Sequence, residues 1–201
     1  MKKILLATAV TLMMFSSCSN DNNIASLVSL TPNEVADLKF LREEEKLARD
    51  VYMYSFDKYQ ISIFNSITKS EQQHMDSVLN LLNKYGITDP ASMQRGIFQS
   101  TELQVLYNSL TAQSAISSTE ALKVGATIED LDIKDIDDFI NNTTKSDLLS
   151  VYDNLTCGSK NHIRAFTNQL ALSGVNYIPQ YITIAYYNTI LSESNGGCGN
   201  K

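Results

Sequence analysis

The chain has 201 residues, 43% hydrophobic and 19% charged, with a net charge of −6 and only 8 Gly and 3 Pro. That length suffices for one domain with a sizeable core, and the composition excludes collagen-like and low-complexity classes. An acidic balance without a dense Lys/Arg patch argues against nucleic-acid binding. The two histidines are His74 and His162, so any imidazole chemistry uses one or both.

The chain opens on basic Met1-Lys2-Lys3, then an apolar run from Ile4 to Phe15 that is too short to span a bilayer. Small Ser16-Ser17, then Cys18, then polar Ser19 to Asn23 follow. This order reads as a secretory signal over residues 1–17. Its end resembles a bacterial lipobox, although Phe15 stands where Leu is more usual. The resemblance implies cleavage before Cys18, lipidation of its thiol, and anchoring in the bacterial cell envelope, on the periplasmic or cell-surface face. Loss of Lys2 and Lys3 makes the remainder more acidic, so acyl chains rather than anionic headgroups would hold it at the membrane. An ordinary cleaved signal with an unmodified Cys18 is the alternative. Cys157 and Cys198 then remain as an even pair in an exported protein, where a disulfide is permitted. Two free thiols fit the sequence equally well.

Residues 18–31 read as a polar tether, residues 32–192 as a helical domain and residues 193–201 as a flexible tail. Thr31-Pro32-Asn33-Glu34 is a helix start, with a capping Thr, Pro at the first position and Glu at the third. That helix is expected to reach about Tyr59. A second runs from about Ile61 to Tyr85 and stops at Gly86. Gly86 to Pro90 is a break, and a shorter helix spans about Thr101 to Gln113. Ser117-Ser118-Thr119-Glu120 reads as a second capping box, with Glu120 reaching back to Ser117, and opens a helix through about Phe139. Asn141 to Thr144 is a turn. Ser146 to Leu172 is the fourth long helix, closed by Gly174. The tail holds Tyr177-Ile178-Pro179-Gln180-Tyr181 and one short apolar segment. No alternating strand pattern appears. Four long amphipathic segments imply an all-α helical bundle with an extra short helix in its long central connection.

The chemistry lies on the inner seams. Phe64, Ile67, Glu71, His74, Val78 and Leu81 step by three and four along the second helix. Burying Glu71 and His74 there costs several kcal/mol, on the order usual for such groups, unless something neutralises them. Glu71-Gln72-Gln73-His74 is a Glu-x-x-His spacing, which places both side chains one turn apart on one face; carboxylate metal sites in helical bundles use it. On the first helix Glu45 shares a face with Leu38, Leu41, Ala48 and Tyr52. Glu43 and Glu44 adjoin it, so Glu44 is an alternative ligand. The third long helix presents Leu122, Gly125, Glu129, Asp132 and Ile136. The fourth presents Leu148, Tyr152, Leu155, Ser159, His162 and Phe166. Taken singly these residues have ordinary explanations. Thr68 and Glu71 could form a cap, and Glu45 and Glu129 could reach out to solvent. Together they place carboxylates from three helices and both imidazoles on predicted inner faces.

Arg42 to Tyr52 is similar to the opening signature of an uncharacterised prokaryotic ferritin-like family related to rubrerythrins. Glu71 to Met75, Val124 to Ile133 and Gly158 to Phe166 resemble its later blocks, and Tyr177 to Tyr181 its closing motif. The resemblance spans about residues 35–190. It implies a ferritin-like four-helix bundle with a two-metal centre of Fe or Mn, liganded by Glu45, Glu71, His74, Glu129 and His162. Ser159 departs from the pattern, which places there the Glu of a second Glu-x-x-His. Asp130 or Asp132 could compensate, or one metal site could be incomplete. No rubredoxin-like Cys pairs are present.

Two function classes follow. One is a redox metalloprotein working on O2 or peroxide, with Tyr52 and Tyr152 near the seam either relaying electrons or packing. The other is a non-catalytic envelope lipoprotein that binds a metal or a partner with a degenerate ferritin-like site. A homodimer is open to such a bundle. No Ser–His–acid set supports a nucleophilic enzyme, and Cys157 and His162 do not share a helix face.

Overall fold

The computed structural model describes residues 29–194 together with Gly197 and Cys198. Cys18, the signal-like segment and most of the tether lie outside the described residues. Among the described residues the chain is all-helical, without strands: α1 (Pro32–Tyr59), α2 (Ser62–Lys84), α3 (Thr101–Ser114), α4 (Ser118–Asn141), α5 (Ser146–Leu172) and α6 (Ile184–Ser192). No helix among them is long and apolar enough to cross a membrane.

Local signals set most boundaries. Thr31 Oγ1 accepts from Glu34 N while Glu34 accepts from Thr31 N, so the predicted capping box at α1 is complete. Glu34 also accepts from Thr143 Oγ1 at 2.6 Å, which ties the start of α1 to the turn between α4 and α5. The second box is half made. Ser117 Oγ accepts from Glu120 N, but the Glu120 carboxylate bonds Lys123 at 2.7 Å and Gln113 at 3.2 Å instead of returning to Ser117. The charge-assisted bond to Lys123, one turn along the helix, wins over a neutral backbone N–H. Gly86 and Gly174, just beyond α2 and α5, adopt φ of +66° and +70°, where a side chain would be strained.

Packing runs α1 along α2 and α4 along α5, with α1 also meeting α4 and α2 meeting α5. Short α3 rests on α1 and α4, and α6 on α5. Two apolar clusters form inside. One includes Leu47, Val51, Phe64, Ile67, Ile163 and Phe166. The other includes Leu38, Leu41, Val78, Leu81, Leu148 and Leu155. On α1, α2 and α5 the two clusters lie on opposite sides of a polar layer that contains Glu45, Glu71, His74, Ser159 and His162.

The irregular connection between α2 and α3 is held by the charged face of α1. Arg42 grips Asp89 through two nitrogens, at 2.9 and 3.1 Å. Lys46 and Asp50 form a pair with no solvent exposure. Lys46 Nζ also donates to Gln94 O at 3.0 Å and lies 4.3 Å from the centre of the Phe98 ring. Asp50 accepts from Gly96 N at 2.9 Å. Glu43 takes the backbone N–H groups of Gln99 and Ser100 at 2.6 and 2.9 Å, just where α3 begins. A buried pair is tolerable only when its remaining hydrogen-bonding capacity is met, and here the loop backbone meets it.

The C-terminal segment is tied twice. Asp130 accepts from Tyr177 Oη and from the backbone N–H groups of Gln180, Tyr181 and Ile182. Cys157 and Cys198, with Cα atoms 5.7 Å apart, are joined by a disulfide that closes a separation of 41 residues.

Candidate metal centre

The five sequence-predicted ligands converge. Glu45 comes from α1, Glu71 and His74 from α2, Glu129 from α4 and His162 from α5, and all are buried. They form two overlapping triads, Glu45–Glu71–His74 and Glu71–Glu129–His162, each with ligand atoms within 4.8 Å of one another. Glu71 belongs to both. Its Oε2 lies 2.8 Å from His74 Nδ1, and its Oε1 lies 2.9 Å from His162 Nδ1. Glu45 Oε2 is 3.2 Å from His74 Nδ1, and Glu129 Oε2 is 3.3 Å from His162 Nδ1. The imidazoles stack with centres 5.6 Å apart.

Both rings therefore aim Nδ1 at the carboxylates, and the far edges are fixed by groups that sequence patterns did not flag. His162 Nε2 hydrogen-bonds Ser70 Oγ at 2.9 Å. Nε2–H donation to Ser70 would leave Nδ1 bare for a cation, the arrangement that orients metal-binding histidines. His74 Nε2 faces the α5 backbone at Gly158, where a Cβ would overlap the ring. Only glycine leaves that imidazole its space. Tyr52 donates to Glu129 Oε1 at 2.5 Å, so it touches the centre. Tyr152 instead packs in the second apolar cluster, 6.1 Å from Phe139 between ring centres.

The three consecutive glutamates of α1 divide their work. Glu43 holds the loop, Glu45 enters the triad, and Glu44 does neither, although it is buried. Glu44 is thus not part of either triad. Of the two aspartates considered as substitutes for the missing glutamate, Asp130 is committed to the C-terminal segment. Asp132 lies beside the centre and accepts from Ser159 Oγ.

Electrostatics show what the arrangement lacks. Burial would raise Glu71, but His162 and then His74 hold it well below the usual carboxylate range. Burial would lower His162, but Glu71 and Glu129 push it up to about 10. His74 is likewise driven up, by Glu45 and Glu71 against burial. Burial dominates Glu45, which rises to about 7 with His74 opposing, and raises Glu129 together with the charge of Glu71. Three carboxylates face two imidazoles, and no Lys or Arg among the described residues pairs with any of the three. Glu45 Oε1 and Glu71 Oε1 have no hydrogen-bond donor; the approach of His162 Nδ1 to the latter is misaligned for one. Carboxylates with an orphaned buried oxygen, set against imidazole Nδ1 atoms, are the donor set that a divalent cation completes, so the residues fit a metal.

A family model described as an uncharacterized protein domain (DUF2202) matches residues 34–194, from the first turn of α1 past the end of α6. The chain is 47% identical over 166 residues to uncharacterized protein MJ0754 of Methanocaldococcus jannaschii, covering 82% of this chain and 90% of that protein. It is also similar to the crystal structure of hypothetical protein MJ0754 from Methanococcus jannaschii DSM 2661. That match has a TM-score of 0.82 and 46% identity, and covers 83% of this chain and 96% of the other.

The raised groups make the metal-free fold take up protons. Glu45 contributes stability that is present below its unfolded pKa and lost as pH rises through about 7. His162 contributes stability that is full below its unfolded value and lost as pH rises through about 10. Glu71, shifted the other way, matters only in acid. In chelator the thermal midpoint should therefore fall steadily between about pH 5 and 10, and added Mn(II) should oppose the fall, because metal displaces those protons. A midpoint in chelator that is flat or rising over that range contradicts the assignment.

Proposed function

We propose, for a chain that belongs to the DUF2202 family of uncharacterized protein domains, a ferritin-like four-helix bundle built around a two-cation centre of iron or manganese. The observation that carries this reading is the pair of Glu/His triads sharing Glu71. Glu45, Glu71 and His74 would hold one ion, and Glu71, Glu129 and His162 the other. Helices α1, α2, α4 and α5 are the four long members of the bundle, and α3 lies in the central connection.

Carboxylates and imidazoles suit hard redox-active cations, which would supply electron exchange with O2 or peroxide. The chain's own part is to hold and shield. Glu71 spans both positions and carries the negative charge between them. Ser70 fixes the His162 ring, and the Gly158 backbone seats the His74 ring. Tyr52 holds Glu129 Oε1 and places a phenol at the edge of the centre. Ser159 does not supply a sixth ligand; its hydroxyl orients Asp132 from α4 instead.

We also place the protein at the bacterial envelope, held through a lipidated Cys18, on the support of the signal-like segment alone. A Cys18→Ala chain should then leave the membrane fraction for the soluble one, and unchanged retention contradicts the anchor.

Anaerobic titration with Fe(II) or Mn(II), read by metal analysis, tests the centre. Wild-type protein should bind up to two ions per chain. His74→Ala and Glu129→Ala should each remove about one, and Glu71→Ala should remove both. Asp153→Asn, an exposed carboxylate on the same helix as His162, should change nothing. A wild-type chain that binds no ion, or a His74→Ala chain that binds as wild type, contradicts the reading. Metal binding without peroxide-dependent turnover would make the centre a binding site rather than a catalytic one.

A further inference from the structure

Glu44 is the carboxyl group of the α1 motif that neither the loop nor the triads use. It is 2% exposed, yet neither carboxylate oxygen has a hydrogen-bond donor. Leaving such a group buried costs more than a typical hydrogen bond contributes, roughly 1–3 kcal/mol or more for a charge. Asp132, opposite it on α4 and 5% exposed, also has an orphaned oxygen, Oδ1, while Oδ2 is held by Ser159. Half-buried Asp135, one turn further along α4, lies within hydrogen-bonding reach of Glu44. Exposed Glu102 on α3 and Asp138 on α4 add negative charge around Asp135, and Lys134 offsets part of it.

These carboxylates form a series. Burial, and then the charges of Asp132, Asp135 and Glu45, push the Glu44 carboxyl well above its usual range. Asp132 in turn feels Glu45, Glu129 and Glu71. The series thus runs from the half-buried surface of α4 to both halves of the Glu/His centre. The two apolar clusters seal the centre along the helices. Between α2 and α5 stand the stacked imidazoles, one against Gly158 and the other against Ser70; the His162 side chain is 10% exposed there, but that edge offers a ring and a hydroxyl rather than a succession of carboxylates. A hydrated divalent ion cannot cross an apolar cluster without losing its water to nothing, so it needs oxygens along its way.

We propose that the seam between α1 and α4 is the route by which divalent cations reach the buried centre, with Asp135 at its mouth and Glu44 and Asp132 as transit ligands. The inference rests on the two-cation reading above and adds the path to it. Glu44 and Asp132 each offer an oxygen that the fold leaves bare, so an ion in passage exchanges water for carboxylate one step at a time. Neither belongs to a triad, so the ion does not stop there. Their cost to the apoprotein is the cost of keeping the way polar.

The test is anaerobic Co(II) loading of the full chain in stopped flow, followed by the visible absorption of bound Co(II), with final stoichiometry by metal analysis. Glu44→Gln and Asp132→Asn should each slow loading at least tenfold and leave the final stoichiometry at the wild-type value. Asp135→Asn, at the half-buried mouth, should slow it severalfold. Glu44→Gln should leave the apoprotein at least as stable as wild type, because no donor is lost. Wild-type loading rates in Glu44→Gln and Asp132→Asn overturn the route, as does loss of final occupancy in Glu44→Gln, which would make Glu44 a resident ligand. If circular dichroism shows that the buried variants do not fold, Asp135→Asn decides, and a wild-type rate there overturns the proposal. A wild-type chain that takes up no Co(II) overturns the two-cation reading itself; normal wild-type loading with unchanged variants overturns the route alone.

Discussion

A single buried carboxylate, Glu71, faces an imidazole on each of its oxygens, and the interior is arranged around that contact. Charge in a helical interior is costly, and a half-neutralised cluster is worse than an apolar one. Here the cost is met in layers. Apolar residues close the polar layer on both sides, the histidines take up protons when no cation is present, and Tyr52 and Ser70 complete the outer hydrogen bonds. Close packing then limits what may surround it. Gly158 leaves room for one imidazole, and Gly125 leaves room for the Phe166 ring next to Tyr52.

The charged stretch of α1 shows how one helix serves two ends. Arg42, Glu43, Lys46 and Asp50 face the irregular connection and satisfy its backbone and its acidic side chain. Glu45 turns the other way, into the centre. Because a helix turns about 100° per residue, neighbouring glutamates point to different surroundings, and three identical residues acquire three environments. The loop contacts hold α1 in register against α3 and so keep Glu45 at the level of Glu71.

Much of this was legible in the residues. Period and caps located the long helices, and the stripe Phe64–Ile67–Glu71–His74–Val78–Leu81 pointed inward as expected because a carboxylate and an imidazole at apolar positions have few other uses. The seams also brought Glu45, Glu129 and His162 to the same layer. What periodicity could not separate was Glu44 from Glu45, since both are buried and the difference lies in which neighbour each meets. Nor could it find Ser70 or Gly158, which act through contacts between α2 and α5. Glu120 departed from its capping role because Lys123 lay within reach, a competition that depends on rotamers rather than on the motif. The work of Asp130 became visible only once the chain had returned Tyr177 and the backbone of residues 180–182 to α4.

The most direct measurement is crystallographic. Crystals of the protein grown or soaked anaerobically with Mn(II) should show two anomalous difference peaks. One should lie among Glu45, Glu71 and His74, and the other among Glu71, Glu129 and His162, with Glu71 touching both and each histidine bound through Nδ1. Peaks confined to surface carboxylates, or an empty polar layer with the histidines still paired to Glu71, would contradict the account.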